Sequence, residues 1–137
     1  MIEVQARAEA PCDLDAMVGR LVWACGRLGI ARASVGLMVV GADEMAALNA
    51  EHRGEEGPTD VLSFPVDGPD ALAGWPEDGP EPELGDIVIC PEAAEEPLVT
   101  LAVHGLLHLL GHDHETDAGE MLALQDELVD AAEASGA

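Results

Sequence analysis

His104-Gly-Leu-Leu-His108-Leu-Leu-Gly111-His-Asp-His114 carries four of the five histidines in this 137-residue chain. The first two lie four apart inside an apolar run, Leu98 to Leu110, that reads as a buried helix. Four residues of helix rise about 6 Å and turn about 40° past a full revolution, so both imidazoles share one face. That separation suits two nitrogens, each about 2.0–2.1 Å from one zinc ion. Gly111 stands where a left-handed residue would end the helix and fold the chain back, so that His114 can approach the same point from outside. One histidine on an apolar face is ordinarily a satisfied core residue. Three at this spacing, with a glycine at the turn, read as a metal centre. Three protein ligands leave the fourth tetrahedral position to water, the pattern of a catalytic zinc. The expectation is one Zn2+ per chain, held by His104, His108 and His114, with His112 a neighbour of the site rather than a ligand.

The spacing His-x3-His-x2-Gly-x2-His matches the zinc-binding pattern of metzincin proteases, HExxHxxGxxH, with one difference. Gly105 occupies the position of the glutamate that serves those proteases as general base. The metal cradle is present and the peptidase base is absent.

Length and composition bound the rest. A chain of 137 residues implies a single domain over 1–137 that buries about two-thirds of its unfolded surface. Hydrophobic residues make up 48% and aromatics only 2%, so the core is expected to be aliphatic. No run reaches the length of a membrane span and no secretory signal pattern opens the sequence, which points to a cytoplasmic protein without membrane partners. Cys12, Cys25 and Cys90 are widely spaced with no CxxC, which fits reduced thiols in or near the core. Against 28 acidic residues stand five arginines and no lysine, a net charge of −23. Nucleic-acid binders usually present a basic patch. Here RNA contact would be confined to a local arginine site, or a basic partner would deliver the substrate. An acidic, salt-adapted proteome would account for much of the charge without either.

In chain order, Ile2 to Arg7 alternates as a half-buried strand. Asp13 caps a helix carrying Leu14, Met17, Leu21 and Cys25 inward, ended by Gly29. Arg20 and Arg27, seven apart, are expected on one solvated face. Val35 to Val40 reads as a central strand. Asp43 is expected to cap a short helix that runs out at Arg53-Gly54. Val61 to Pro65 reads as an edge strand, because Pro65 lacks a ladder donor. Residues 66–83 form an acidic, proline- and glycine-rich loop, expected to be flexible, with Trp75 a local anchor or a base-stacking residue. Gly85 to Cys90 is a strand and Pro97 interrupts the lead-in to the histidine helix. Asp117 and Glu120 could form a capping box for a last helix bearing Met121, Leu124 and Leu128. The order strand-helix-strand-helix-two strands-two helices predicts an α+β fold, a small mixed sheet covered by helices, with the metal between the histidine helix and the sheet.

Three blocks resemble one family. His104 to His114 is similar to the H-G-x-L-H-L-x-G-x-D-H signature of the YbeY family, bacterial zinc-dependent endoribonucleases of ribosomal RNA maturation and ribosome quality control. Asn49-x-x-His52-Arg53-Gly54 with Pro58 to Pro65 (PTDVLSFP) resembles a second family block, one residue shorter before the arginine, and Leu84 to Cys90 (LGDIVIC) a third. The resemblance covers roughly residues 40 to 128. It implies a zincin-like metal helix and a single-strand-selective endoribonuclease. Its substrate would be ribosomal RNA, and its partners ribosomal or ribosome-assembly proteins. It implies further that Arg53 beside the metal stabilises charge on the scissile phosphate, making Arg53 and His104 the catalytic residues. Asp113 would orient a ligand histidine, and His112, Asp113 or Glu115 would accept the proton. Two departures bear on the substrate side: thirteen residues (91–103) before His104 are fewer than the family pattern has, and His112 replaces a usual tyrosine. Two alternatives stay open: a zinc hydrolase of another substrate class, and a non-catalytic assembly factor that zinc merely stabilises. Oligomeric state is not legible.

Overall fold

The fold is that of a computed structural model, which describes residues 2–67, 76, 78–113 and 117–136. The elements run β1 (Ile2–Ala8), α1 (Leu14–Arg27), β2 (Ala33–Val39), α2 (Ala42–Arg53), β3 (Val61–Pro65) and β4 (Glu83–Ile89). A 3-10 turn (Pro91–Ala93), α3 (Leu98–Leu109) and α4 (Glu120–Ala134) follow. Among the described residues the strands form one sheet in the order β1-β2-β4-β3. β1, β2 and β4 are parallel, and β3 lies antiparallel on β4 at the edge, where Pro65 has no ladder hydrogen to lose. This is the expected α+β architecture with a small mixed sheet.

Register divides the side chains between two faces. Ala6, Leu37, Ile87 and Ser63 form one row across the sheet; Gln5, Gly36, Asp86 and Phe64 form the adjacent row on the opposite face. The first face is closed by α1 and α3 over a core that includes Met17, Leu21, Val35, Leu37, Ile87, Ile89 and Leu106. On the second face Met45 of α2 packs with Val40, Leu62, Val88 and Cys90 in a smaller cluster. α3 is enclosed on two sides, because Val103 and Leu107 pack against Met121 and Leu128 of α4. That double contact explains why α3 is apolar almost all round while an ordinary surface helix is not.

Helix α1 has the ends its sequence predicts. The Asp13 side chain accepts from the Ala16 amide at 3.1 Å, and Gly29 follows α1 with φ 82°. Three expectations need correction. Arg20 is only 6% exposed, so it does not share a solvated face with the exposed Arg27. Equal helical angle is not equal environment: residue 20 sits mid-helix among buried Met17, Leu21 and Ala24, and residue 27 in the last turn. α2 is capped at Gly41 rather than Asp43, and its Ala42 amide faces Glu92 Oε1 at 3.4 Å. Asp43 instead lies in the first turn, where its charge complements the helix dipole. The proposed Asp117–Glu120 box is displaced by one residue. Asp117 accepts from Gly119 and Met121, Glu120 accepts from Ala118, and α4 begins only at Glu120.

Half of the acidic loop at 66–83, Trp75 included, lies outside the described residues. Its ends are tied: Val66 and Asp67 continue the ladder to Leu84 and Glu83, and Arg32 donates to the Pro76 and Gly79 carbonyls at 2.9 and 2.8 Å. The three cysteines are free, with Cys25 and Cys90 buried; burial pushes the Cys25 thiol up to about 11. No helix among the described residues is long and apolar enough to cross a membrane.

Candidate metal centre and its cleft

The apolar faces of α3 leave one stripe uncommitted, and His104 and His108 stand on it, half-buried. Their rings meet edge to face with centroids 4.7 Å apart, and their Nε2 atoms are 3.1 Å apart. The other nitrogen of each ring is held. His104 Nδ1 lies 2.6 Å from Gln125 Oε1 on α4, and His108 Nδ1 lies 2.9 Å from the His112 carbonyl. Both partners accept hydrogen bonds, so each ring carries its hydrogen on Nδ1 and turns an Nε2 lone pair toward the other. Two lone pairs that close repel unless a cation or proton lies between them. Two nitrogens on one tetrahedral zinc would be about 3.3–3.4 Å apart, given bonds of about 2.0–2.1 Å. The donor set and its spacing therefore fit a zinc ion.

The end of α3 is built for this contact. Gly111 has φ 94°, its amide donates to the His108 carbonyl at 3.0 Å, and the His112 amide donates to the Leu107 carbonyl at 3.0 Å. This is a Schellman termination, which needs a left-handed residue at position 111 and returns the chain over the last turn. It delivers the His112 carbonyl to His108, so residue 112 serves the site through its backbone, while its side chain lines the cleft. His114, expected as third ligand, lies outside the described residues, as does Glu115. Among the described residues no third histidine, cysteine or carboxylate joins the pair.

Gly105 has a packing explanation. A Cβ there would lie 2.6 Å from Ile87 Cγ2, and the Gly105 carbonyl accepts from Ser63 Oγ at 3.0 Å. The helix presses on the sheet where the metzincin glutamate would need room, so the departure from that motif is a close helix–strand approach.

The cleft in front of the histidines has a volume of about 850 Å³ and runs along the β3 edge. Arg53, Glu55, Asp60, Ser63, Phe64, His112 and Asp113 line it with the two histidines. Arg53 stands at the end of α2, whose following loop is held by buried Asn49, 2% exposed, donating to the Gly57 carbonyl at 2.9 Å. Its guanidinium is 3.9 Å from Glu55 Oε1 with both side chains about half exposed or more. Such a contact holds an arginine weakly and leaves it able to engage an anion. The geometry thus brings Arg53, His104 and His108 to one cleft. The orienting contacts to His104 and His108 described above come from Gln125 and a carbonyl, while Asp113 is exposed on the cleft wall.

Sequence reasoning missed Gln125 and His52. Gln125 had a signal: with Met121, Leu124 and Leu128 it occupies an i, i+3, i+4, i+7 stripe, where a polar residue needs a buried partner. His52 packs against Phe64 with ring centroids 4.9 Å apart, and no periodicity marks it.

A histidine pair on a helix that packs on a mixed four-stranded sheet, with an arginine in the same cleft, defines an α+β protein with a candidate metal centre. Comparison with known proteins gives the family. The family model described as Endoribonuclease YbeY matches residues 21–133. A curated Endoribonuclease YbeY of Salinispora tropica is 40% identical over 146 residues, covering 93% of this chain and 93% of that one. Another, of Micrococcus luteus, is 43% identical, covering 88% and 83%. A solution structure of a Thermotoga maritima protein aligns with TM-score 0.58 at 28% identity, over 95% of this chain and 87% of that one. The chain belongs to the YbeY endoribonuclease family.

Proposed function

We propose that this protein is a zinc-dependent endoribonuclease that cuts single-stranded RNA in ribosomal RNA maturation and ribosome quality control. On this reading it works in the cytoplasm with ribosomal or ribosome-assembly proteins. The observation that carries the reading is the pair of Nε2 atoms 3.1 Å apart, each with its Nδ1 tied to an acceptor, lining one cleft with Arg53. Family membership supports RNA as the substrate. His104, His108 and His114 would hold the ion, which supplies Lewis acidity toward a phosphoryl oxygen and lowers the pKa of water.

The chain's own residues do the rest. Gln125 and the His112 carbonyl keep both rings in the Nδ1–H tautomer, so that Nε2 remains basic. Arg53 presents a planar fork to two phosphate oxygens and offsets charge that grows on the phosphate. Asn49 keeps the loop beneath Arg53 in place. His112 and Asp113, both on the cleft wall, are the described candidates to accept the proton. Gly105 opposes the peptidase alternative, since Ile87 leaves no space for a glutamate base.

The test is cleavage of defined single-stranded and duplex RNA by zinc-loaded wild type and His104→Ala. Wild type should cut the single strand and His104→Ala should not. Equal cleavage by both proteins would refute the reading.

A further inference from the structure

The second face of the sheet is only half covered. Beyond α2 it opens into a groove of about 570 Å³, within the roughly 300–1,000 Å³ of small-molecule sites. Its floor is the row Gln5–Gly36–Asp86–Phe64, backed by Met38 and Val88 of the next row and by Leu48 of α2. Gly36 leaves the middle of the floor without a side chain, and a Cβ there would collide with Asp86 Oδ1. Asp86 is exposed, and among the described residues no hydrogen bond or ion pair engages its carboxylate. His52 and Phe64 line both this groove and the metal cleft, so their edge-packed rings are the wall between the two cavities. Only one phenylalanine exists in the chain, and it stands half-buried at this wall instead of in the main core.

These features fit one occupant. A phosphate at the histidine pair places the neighbouring base of the same strand one wall away. Aromatic rings and an apolar floor stack unpaired bases, and a sheet face bearing aromatics is a recurrent platform for them. The alternative source of affinity, phosphate neutralisation, is scarce at a net charge of −23. A carboxylate accepts and cannot donate, so Asp86 suits a base edge with adjacent donors, as guanine presents at N1 and N2, and disfavours the carbonyl-rich edge of uracil.

We propose that this groove docks an unpaired nucleobase of the RNA, adjacent to the phosphate in the metal cleft. The base stacks on the His52–Phe64 wall and is read by Asp86 with Gln5 beside it, guanine before uracil. The proposal rests on the ribonuclease reading and deepens it.

Two measurements test it. In the first, guanosine 5′-monophosphate and uridine 5′-monophosphate are titrated into methyl-labelled wild type and His104→Ala. Met38, Leu48 and Val88 should shift in both proteins, at lower concentration with the guanine nucleotide, and Asp86→Asn should erase that preference. In the second, an abasic site is moved through a single-stranded RNA. Binding should weaken about fivefold to a hundredfold at one position only, and Phe64→Leu, which keeps an apolar side chain, should remove that sensitivity. RNA that shifts the groove but is never cut would sink the ribonuclease reading and leave the groove standing. RNA that is cut with equal tolerance of every abasic site would overturn the groove. So would unshifted methyl groups, an unchanged preference in Asp86→Asn, or a response to a basic peptide in place of nucleotides.

Discussion

Along β2, Val35, Leu37 and Val39 are at most 2% exposed beneath α1 and α3, whereas Gly36 and Met38, between them in sequence, face the open groove. β4 repeats the division: Ile87 and Ile89 are fully buried, and Asp86 is exposed. One set of alternate residues closes the main core, and the other leaves room for a ligand where α2 does not cover it. α3 draws the same contrast by helical angle, with Leu106 and Leu107 buried and His104 and His108 turned to the cleft. The lesson is that chemistry here occupies whatever angular sector the packing leaves uncovered. Substitutions in the two sectors should therefore fail in different ways.

The largest effect is expected where the sectors meet. Gly105→Glu, which would restore the protease motif, should destroy the fold rather than create a peptidase. Its Cβ meets Ile87 at 2.6 Å, and overpacking costs on the order of 3 kcal/mol before the buried carboxylate is counted. Urea unfolding measures this. Gly19→Ala, in open space on α1, should instead gain about 0.5–1 kcal/mol.

On the cleft side the fold should survive while binding fails. His104→Ala, His108→Ala and His114→Ala should each lose stoichiometric zinc with unchanged circular dichroism. Gln125→Ala should weaken zinc about tenfold to a hundredfold by releasing His104. His112→Ala should keep most of it, since its contact to His108 is a carbonyl. Metal analysis that ranks His112→Ala with the three ligands would overturn this division.

Arg53→Ala and Arg53→Lys should retain zinc and fold yet cleave RNA about a hundredfold more slowly in single turnover. An oriented cation lost from a developing phosphate charge costs about 2–4 kcal/mol, and lysine keeps charge without the fork. Cleavage within a few-fold of wild type would reduce Arg53 to a surface ion pair with Glu55.

Salt dependence sharpens the contrast between phosphate and base recognition. Arg53 on the cleft and Arg7 on the groove are the arginines among the lining residues. With two phosphates neutralised, log K against log salt should fall with a slope of about −1.4. A slope several times steeper would require a basic surface elsewhere.

The smallest effect lies outside both sectors. Protonated Glu44 can donate a hydrogen bond to the Glu9 carboxylate, which raises the Glu44 carboxyl, helped by some desolvation and by Glu9's charge and opposed by Arg7. A carboxyl raised on folding stabilises while protonated, and that contribution fades as pH rises through its folded value. Glu44→Gln should therefore gain slightly over wild type at neutral pH and lose the advantage in acid. Paired unfolding curves at both pH values check the sign.

Sequence alone determined the element order, the buried histidine helix and its Gly111 stop, and the edge strand ending at Pro65. It also identified the family, from three short blocks. Each of these is a local quantity: a period of two or 3.6, a backbone angle that favours glycine, a missing amide hydrogen. Tertiary structure alone decided which side chains meet across long separations. Gln125 reaches His104, Glu92 faces the start of α2, Phe64 packs on His52, and Ile87 excludes a side chain at Gly105. It also buried Arg20, which shares a helical angle with exposed Arg27. Periodicity reports the direction in which a residue points along its own element. What it meets there depends on how the elements pack, and that information is spread over the whole chain.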